Sequence, residues 1–343
     1  MKRIVLCLLA VLTLSQMLIS CSSQTKTASN GEIFVMNTVV TQKVYGKNRD
    51  KAILNVNNCL KEMEKELSMY IPESYISKIN QNAGLTPVKV NSYTFDLIQT
   101  TQKYCERSNG VFDITIAPIT KLWGITSQNP KVPTQDQINE LLPLIDYRNI
   151  KLDSKSQTVM LKEKGMAIDL GGIAKGYIND LIKSEYDKLN ISSALISIGG
   201  NIYAYHTKPD NTLFTLGIRD PKGSSNDMVG KLKVKDKIVA TSGAYERFFE
   251  QDGKVYHHIL DSKTGYPAES DLLSATVVSE NGGLADFLST TVFISGKKQM
   301  KQYLNQSEFS VIIIDKEKNV YVSDNLKDSF ELTNSNYKLS ESK

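Results

Sequence analysis

Asp169-Leu-Gly-Gly-Ile-Ala-Lys-Gly176 stands where an apolar run turns into a helical pattern. A carboxylate, two glycines and a lysine at such a junction suit a phosphate-bearing ligand. Glycine lets the backbone approach closely, and free N–H groups at a helix start attract anions. Lys175, three residues after Gly172, can reach a phosphate or a ring edge from the first turn. Asp169 stands at a strand end, where carboxylates often line ligand crevices. Each residue also has a plainer reading, a solvated lysine and a loop or cap acceptor, because glycine bends ahead of helices are common in any α/β chain.

Periodicity extends the pattern in both directions. Residues 33–45 alternate as a strand, and 50–67 form an amphipathic helix with Ile53, Val56, Leu60, Met63 and Leu67 on one face. A second helix follows Asn91 or Ser92 as cap, carries Leu97, Ile98, Thr101 and Cys105 inward, and ends at Asn109-Gly110. Thr134-x-x-Gln137 has the spacing of a capping box. Hairpins are expected at 150–161, at 248–258 around Asp252-Gly253, and at 310–323. Helices are expected at 172–189 and 283–295, with strands at 194–198, 213–218, 230–234, 237–241 and 273–279. Helices and strands interleave while hairpins recur, which points to an α+β protein with mixed sheets over a purely parallel doubly wound sheet.

The start of the chain reads as processing signal. Lys2 and Arg3 precede an apolar stretch at 4–14, and Leu18-Ile-Ser-Cys21 has the form of a lipobox, with cleavage before Cys21 and lipid on its thiol. The other readings are a plain signal peptide with an incidental cysteine, or a membrane anchor. The apolar run falls short of the roughly 20 residues that a spanning helix needs. The expected organisation is a signal peptide at 1–20, a lipidated polar tether at 21–32 and one domain at 33–343. Removing Lys2 and Arg3 leaves 39 basic against 37 acidic side chains, a net +2. That balance offers no basic footprint for nucleic acid. Of four cysteines only Cys59 and Cys105 belong to the expected domain, as buried thiols or as a disulfide.

Two further clusters carry possible chemistry. Asp286 and Thr290, four residues apart on an expected helix, share a face and offer hard oxygen ligands. With a carbonyl from the Gly171-Gly172 bend they can hold part of a magnesium shell, the rest being water or substrate phosphate. Spacing alone equally allows an aspartate serving the helix dipole and a threonine bonded back to its own helix. Histidine occurs only as His206, His257 and His258. The adjacent pair lies on an expected strand, so one ring alone can enter a given pocket, where neutral imidazole suits a general base. Met36, Tyr70, Phe112 and Trp123 can cover a flat ring, or be core.

Taken in series, these blocks resemble the FAD:protein FMN transferases, the ApbE-like flavin transferases. The resemblance runs from Met36 to Gly296 and rests on Met36-Asn-Thr, Leu67-Ser-Met-Tyr70 with Ser77-Lys-Ile-Asn80, Gly110 to Pro118 with Leu122-Trp-Gly124, Asp169 to Gly176, Ile198-Gly-Gly200, Ile218-Arg-Asp-Pro221, Thr241-Ser-Gly-Ala-Tyr245, His258-Ile-Leu-Asp261 with Thr264-Gly265, and Ala285 to Thr290. It implies one catalytic domain of two interlocked α/β lobes with FAD between them. It implies that Met36, Tyr70, Val111, Phe112, Asp113, Asp169, Lys175 and Leu260 line the FAD. Gly172 would give a carbonyl, and Asp286 and Thr290 side-chain oxygens, to Mg2+; His258 would be the base.

The implied reaction is transfer of FMN from FAD to a threonine or serine of an acceptor, with release of AMP. The implied partners are flavoprotein subunits of membrane redox complexes. The implied location is the extracytoplasmic side of a bacterial envelope membrane, held by lipid on Cys21. Rival readings are a magnesium-dependent FAD pyrophosphatase and a non-catalytic FAD-binding lipoprotein. Two positions depart from the family pattern. Asn37 replaces a typical glycine, and Ser289 stands where some members carry a second carboxylate, which leaves the metal with one acid.

Overall fold

The first strand begins earlier than its alternation indicates. In the computed structural model, which describes residues 27–224 and 226–341, Ala28–Val35 pairs antiparallel with Thr38–Tyr45. Residues 28–32 of the expected tether are therefore strand, and the single strand expected at 33–45 is a hairpin. Ser29, Asn30 and Glu32 hide the strand from a periodicity reading; what holds it is its neighbour and the Arg49–Leu67 helix packed across it. The expected signal peptide and Cys21 lie outside the described residues.

Among the described residues nine strands form the main sheet, and their order in space is their order in the chain: Ala28–Val35, Thr38–Tyr45, Ser193–Ile198, Asn201–Tyr205, Lys237–Gly243, Leu272–Ser279, Ser310–Asp315, Asn319–Val322 and Lys338–Leu339. Each pairing is antiparallel except the last, which makes the sheet mixed. Both faces are covered. Ala240, Ala275, Val277, Val311 and Ile313 point to the helices, while Val239, Val278, Ile312 and Ile314 point to the other side. There a three-stranded sheet of Phe214–Arg219, Met228–Val234 and Phe330–Leu332 supplies Phe214, Leu216, Ile218 and Leu232. A strand buried on both faces is a continuous apolar run, as Val311 to Ile314 is.

The helical layer contains Arg49–Leu67, Ala174–Lys188 and Gly282–Ser295. Between Leu67 and Asp169 the chain builds a second lobe from Tyr75–Gln81, Ser92–Arg107, Ala117–Trp123 and Gln135–Leu141, with a small sheet of Val88–Lys89, Ile150–Asp153 and Thr158–Leu161. Asn91 caps its long helix by accepting from the Thr94 N–H at 2.9 Å, and Thr134 and Gln137 form the expected capping box. One core runs through both lobes, from Val56 and Leu60 to Ile98, Ile114 and Ile168. Cys59 and Cys105 are free thiols in this packing. Burial pushes the Cys59 thiol up to about 11.

Ala174–Lys188 crosses Gly282–Ser295 at a glycine pair. A methyl group on Gly282 would overlap the Gly176 carbonyl oxygen, and one on Gly176 would overlap the Gly282 carbonyl and meet the Asp286 side chain. Asp180 sits on this crossing, where its carboxylate accepts from the Gly282 N–H, and burial pushes its pKa up to about 6. The folded chain therefore holds a proton that the unfolded chain releases near pH 4. Stability conferred by this group falls as pH rises from about 4 to 6, then stays level. Asp180→Asn keeps the acceptor and removes the charge. Thermal unfolding of the metal-free protein should show a gain of about 2 kcal/mol at pH 7.5 that fades towards pH 4.

Candidate active site

A cavity of about 590 Å³ opens between the helical layer and the second lobe. Each of the twelve domain residues to which the family resemblance assigns a role lines it. Met36 and Tyr70 come from loops at its edge, and Val111, Phe112 and Asp113 from the segment after Asn109-Gly110. Asp169, Gly172 and Lys175 come from the glycine bend, His258 and Leu260 from the segment after the 248–257 hairpin, and Asp286 and Thr290 from one helix face. Trp123 is different. It is fully buried in a small satellite core with Ile119 and Ile138, donates its indole N–H to the Gly265 carbonyl at 2.7 Å, and does not line the cavity.

Local sequence explains much of the wall. Met36 and Asn37 both have φ of 55° in the two-residue turn between the first strands. Asparagine tolerates this left-handed backbone; methionine rarely adopts it. The turn is pinned by the Met36 N–H donating to Glu64 Oε1 at 2.7 Å and by Arg247 Nη2 donating to the Asn37 carbonyl at 2.9 Å. A two-residue hairpin turn calls for positive φ at both central residues, so the strain lies in the methionine alone. Tyr70, 64% exposed, stands at the mouth. Asn109 and Gly110, with φ of 51° and 72°, end the Ser92–Arg107 helix and aim Val111 and Phe112 inward. Asp113 spends its carboxylate on the Thr115 N–H and hydroxyl and on the Tyr147 N–H, so it holds the bend from within.

The glycine bend is held on both sides. Asn80 acts as a surrogate strand neighbour, accepting from the Ile168 N–H at 2.7 Å and donating to its carbonyl at 3.0 Å. The Asp169 N–H donates to the Ile114 carbonyl, and the Asp169 carboxylate accepts from the Gly171 N–H at 2.8 Å. Burial raises the Asp169 pKa, opposed by Gly171, Lys121 and Lys175. Next comes Asp286, 5% exposed, whose Oδ2 accepts from the Gly176 N–H at 2.9 Å. Had the helix begun one turn earlier, that N–H would serve the Gly172 carbonyl; given to Asp286, it leaves that carbonyl available to a ligand. Burial raises the Asp286 pKa, opposed by Lys175, the Asn201 amide and the Gly176 N–H. The Thr290 hydroxyl contacts Ser242 Oγ at 3.2 Å.

This donor set is all oxygen: one carboxylate, one hydroxyl and one carbonyl. Among the described residues no group of three or more His, Cys, Asp or Glu side chains converges as a metal site. The set fits a hard cation such as magnesium that takes the rest of its shell from water and phosphate. It does not fit zinc, which takes three or four nitrogen, sulfur or carboxylate ligands.

The adjacent histidines face different ways: His257 ends the Lys254–His257 strand, and His258, the next residue, lies just beyond it with its N–H on the Arg247 carbonyl at 3.0 Å. His257 turns away, with Nε2 on the Ala268 carbonyl at 3.2 Å and its ring edge-on to Phe293. His258 enters the cavity. Its Nδ1 faces the Arg247 carbonyl at 3.1 Å, and a carbonyl only accepts, so the ring proton is on Nδ1 and Nε2 carries the free lone pair. Burial, helped by Arg247 and Lys175, brings its pKa down to about 4, so the ring is neutral at pH 7.

Sequence reasoning overlooked five residues here: Glu64, Asn80, Asn201, Ser242 and Arg247. Asn80 and Ser242 lie inside blocks already singled out, and Asn201 directly follows Gly199-Gly200. Glu64 and Arg247 carry no local signal, because their partners are 28 and 210 residues away.

Fold and cavity together define a mixed-sheet α/β protein whose site pairs an apolar, aromatic wall with an oxygen-lined corner. The ApbE family model matches residues 36–313. The chain is 33% identical over 307 residues to the FAD:protein FMN transferase of Klebsiella pneumoniae (strain 342), covering 89% of this chain and 95% of that one. It is 34% identical over 279 residues to the FAD:protein FMN transferase of Treponema pallidum (strain Nichols), covering 76% and 77%. The crystal structure of the ApbE protein of Thermotoga maritima matches it with a TM-score of 0.83 at 31% identity, covering 88% of this chain and 99% of that chain. The chain belongs to the ApbE family.

Proposed function

We propose that this protein transfers the FMN moiety of FAD to a threonine or serine hydroxyl of an acceptor protein, forming a phosphoester and releasing AMP. The observation that carries this reading is the convergence of the Gly171-Gly172 bend, Lys175, Asp286 and Thr290 with a neutral His258 in one cavity. The relatives named FAD:protein FMN transferase support the same reaction.

In this reading Met36, Tyr70, Val111, Phe112 and Leu260 hold the flavin, and Lys175 and the glycine bend hold the diphosphate. Magnesium, taken up by the Asp286 carboxylate, the Thr290 hydroxyl and the Gly172 carbonyl, would neutralise charge on the transferring phosphoryl group. His258 Nε2 accepts the proton of the attacking hydroxyl as the new oxygen–phosphorus bond forms and the bond to the AMP phosphate breaks. Phosphoryl transfer of this kind is governed mostly by positioning and charge neutralisation. A ring whose pKa is near 4 is therefore an adequate final acceptor.

We also propose that lipid on Cys21 anchors the domain to a membrane on the extracytoplasmic side of a bacterial envelope, within reach of flavoprotein subunits of membrane redox complexes. The near balance of charge supports a protein partner over nucleic acid. The test is to incubate the protein with FAD, magnesium and an acceptor fragment and to view a denaturing gel under ultraviolet light. A fluorescent acceptor band is the expected result. FMN and AMP without a band would make the protein a pyrophosphatase, and unchanged FAD would leave a binding protein.

A further inference from the structure

Three hydroxyls beside Asp286 form a chain whose proton directions can be worked out. Ser289 Oγ lies 2.9 Å from the Asp286 carbonyl oxygen and 2.8 Å from Ser242 Oγ, and Ser242 Oγ lies 3.2 Å from Thr290 Oγ1. Each hydroxyl has one proton to give, and a carbonyl can only accept. Ser289 therefore donates to Asp286 and accepts from Ser242. Ser242 has then spent its proton and accepts from Thr290. Only the order Thr290 to Ser242 to Ser289 to the Asp286 carbonyl serves all three contacts. It leaves the Thr290 oxygen with its lone pairs free towards the cavity that both Thr290 and Ser242 line.

We infer that Ser242 and Ser289 are positioning residues that hold the Thr290 hydroxyl as a pure acceptor, ready for a divalent cation. The inference rests on the cation reading of the proposed function. Strand geometry singles out Ser242 for this task. Thr241, its neighbour on the Lys237–Gly243 strand, points to the opposite face and contacts Thr276 at 2.9 Å. Ser242 faces the Gly282–Ser295 helix. Without Ser242 the Thr290 proton is free to turn to the Asp286 carbonyl one turn back, a bond that helical threonines commonly make. Bonded in that way, Oγ1 is oriented by its own helix instead of by Ser242. Ser289, where a second carboxylate would add charge, instead terminates the chain and leaves Asp286 as the one acidic side chain of its helix.

The test reads cation binding directly. Mn2+ is titrated into the detergent-solubilised full chain with ADP present as an unreactive diphosphate, and free Mn2+ is followed by electron paramagnetic resonance. Ser242→Ala should weaken Mn2+ binding about tenfold, as loss of a residue behind a ligand typically does. Ser242→Thr, which keeps the hydroxyl, should restore it to within about threefold. In a Thr290→Val background Ser242→Ala should add nothing, because the serine acts through the threonine. Should Ser242→Ala fail to fold, Ser289→Ala probes the other end: it frees the Ser242 proton to point at Thr290 and should also weaken binding. Native-like Mn2+ binding in Ser242→Ala, or a loss that adds in full to that of Thr290→Val, overturns the inference. If Asp286→Ala weakens binding while Ser242→Ala does not, the hydroxyl chain fails and the cation site stands; if neither does, both fail.

Discussion

Asp286→Ala is expected to lower flavin transfer by about a thousandfold and to abolish its dependence on magnesium, with the fold intact. Removing one preorganised electrostatic group from a water-poor site costs about a hundred- to a thousandfold in rate. Asp286 belongs at the upper end, because it is the lone carboxylate of the oxygen corner and its loss removes a ligand and a charge together. Its contribution to stability is small. Burial raises its pKa, so the ionised group is held against a desolvation cost that Lys175, Asn201 and the Gly176 N–H only partly offset. Alanine leaves the Gly176 N–H without its acceptor, a loss of about 1 kcal/mol. Asp286→Asn keeps that acceptor, removes the charge and should be nearly as inactive. Turnover by either variant at native rate, measured as AMP released with saturating FAD and acceptor, would remove the cation from the mechanism.

His258→Ala should lower kcat about a hundredfold and change KM for FAD little. Positioned general bases contribute about a hundred- to ten-thousandfold. The low end applies here, because a pKa near 4 makes this ring a weak base and because positioning and charge neutralisation carry most of such catalysis. The sign of its pH dependence follows from burial. An ordinary histidine, titrating near 6.5, would lose its function progressively below pH 7. His258 stays neutral down to about pH 4, so the ratio of native to variant kcat should be constant from pH 5.5 to 8.5. A ratio that collapses near pH 6.5 would show that the ring is solvated in the working enzyme and that the Arg247 contact does not persist.

Much of the architecture follows from short-range pattern. The Arg49–Leu67 helix, the Asn91 cap, the capping box at Thr134 and the hairpin at Asp252-Gly253 each depend on interactions within a few residues, and each is where local chemistry puts it. The segments that escaped are those whose partners are distant. Ala28–Val35 is polar enough to pass for linker and is a strand because Thr38–Tyr45 and a helix are there to receive it. Asn201–Tyr205 follows directly on Gly199-Gly200, which read as the end of a strand and is the turn of a hairpin. Tyr75–Gln81, at seven residues, is too short for periodicity to register.

The site divides along the same line. A shared face for Asp286 and Thr290 and a tight bend at Gly171-Gly172 are consequences of helix and glycine geometry, and residue spacing alone carries them. That the bend and the acidic helix meet is a consequence of two glycines, Gly176 and Gly282, more than a hundred residues apart, which let two helices touch backbone to backbone. The charge state of His258, the direction of the hydroxyl protons behind Thr290 and the clamp on the Met36 turn depend on desolvation and on partners brought together by that packing. Such quantities have no one-dimensional signature, because they belong to neighbours in space.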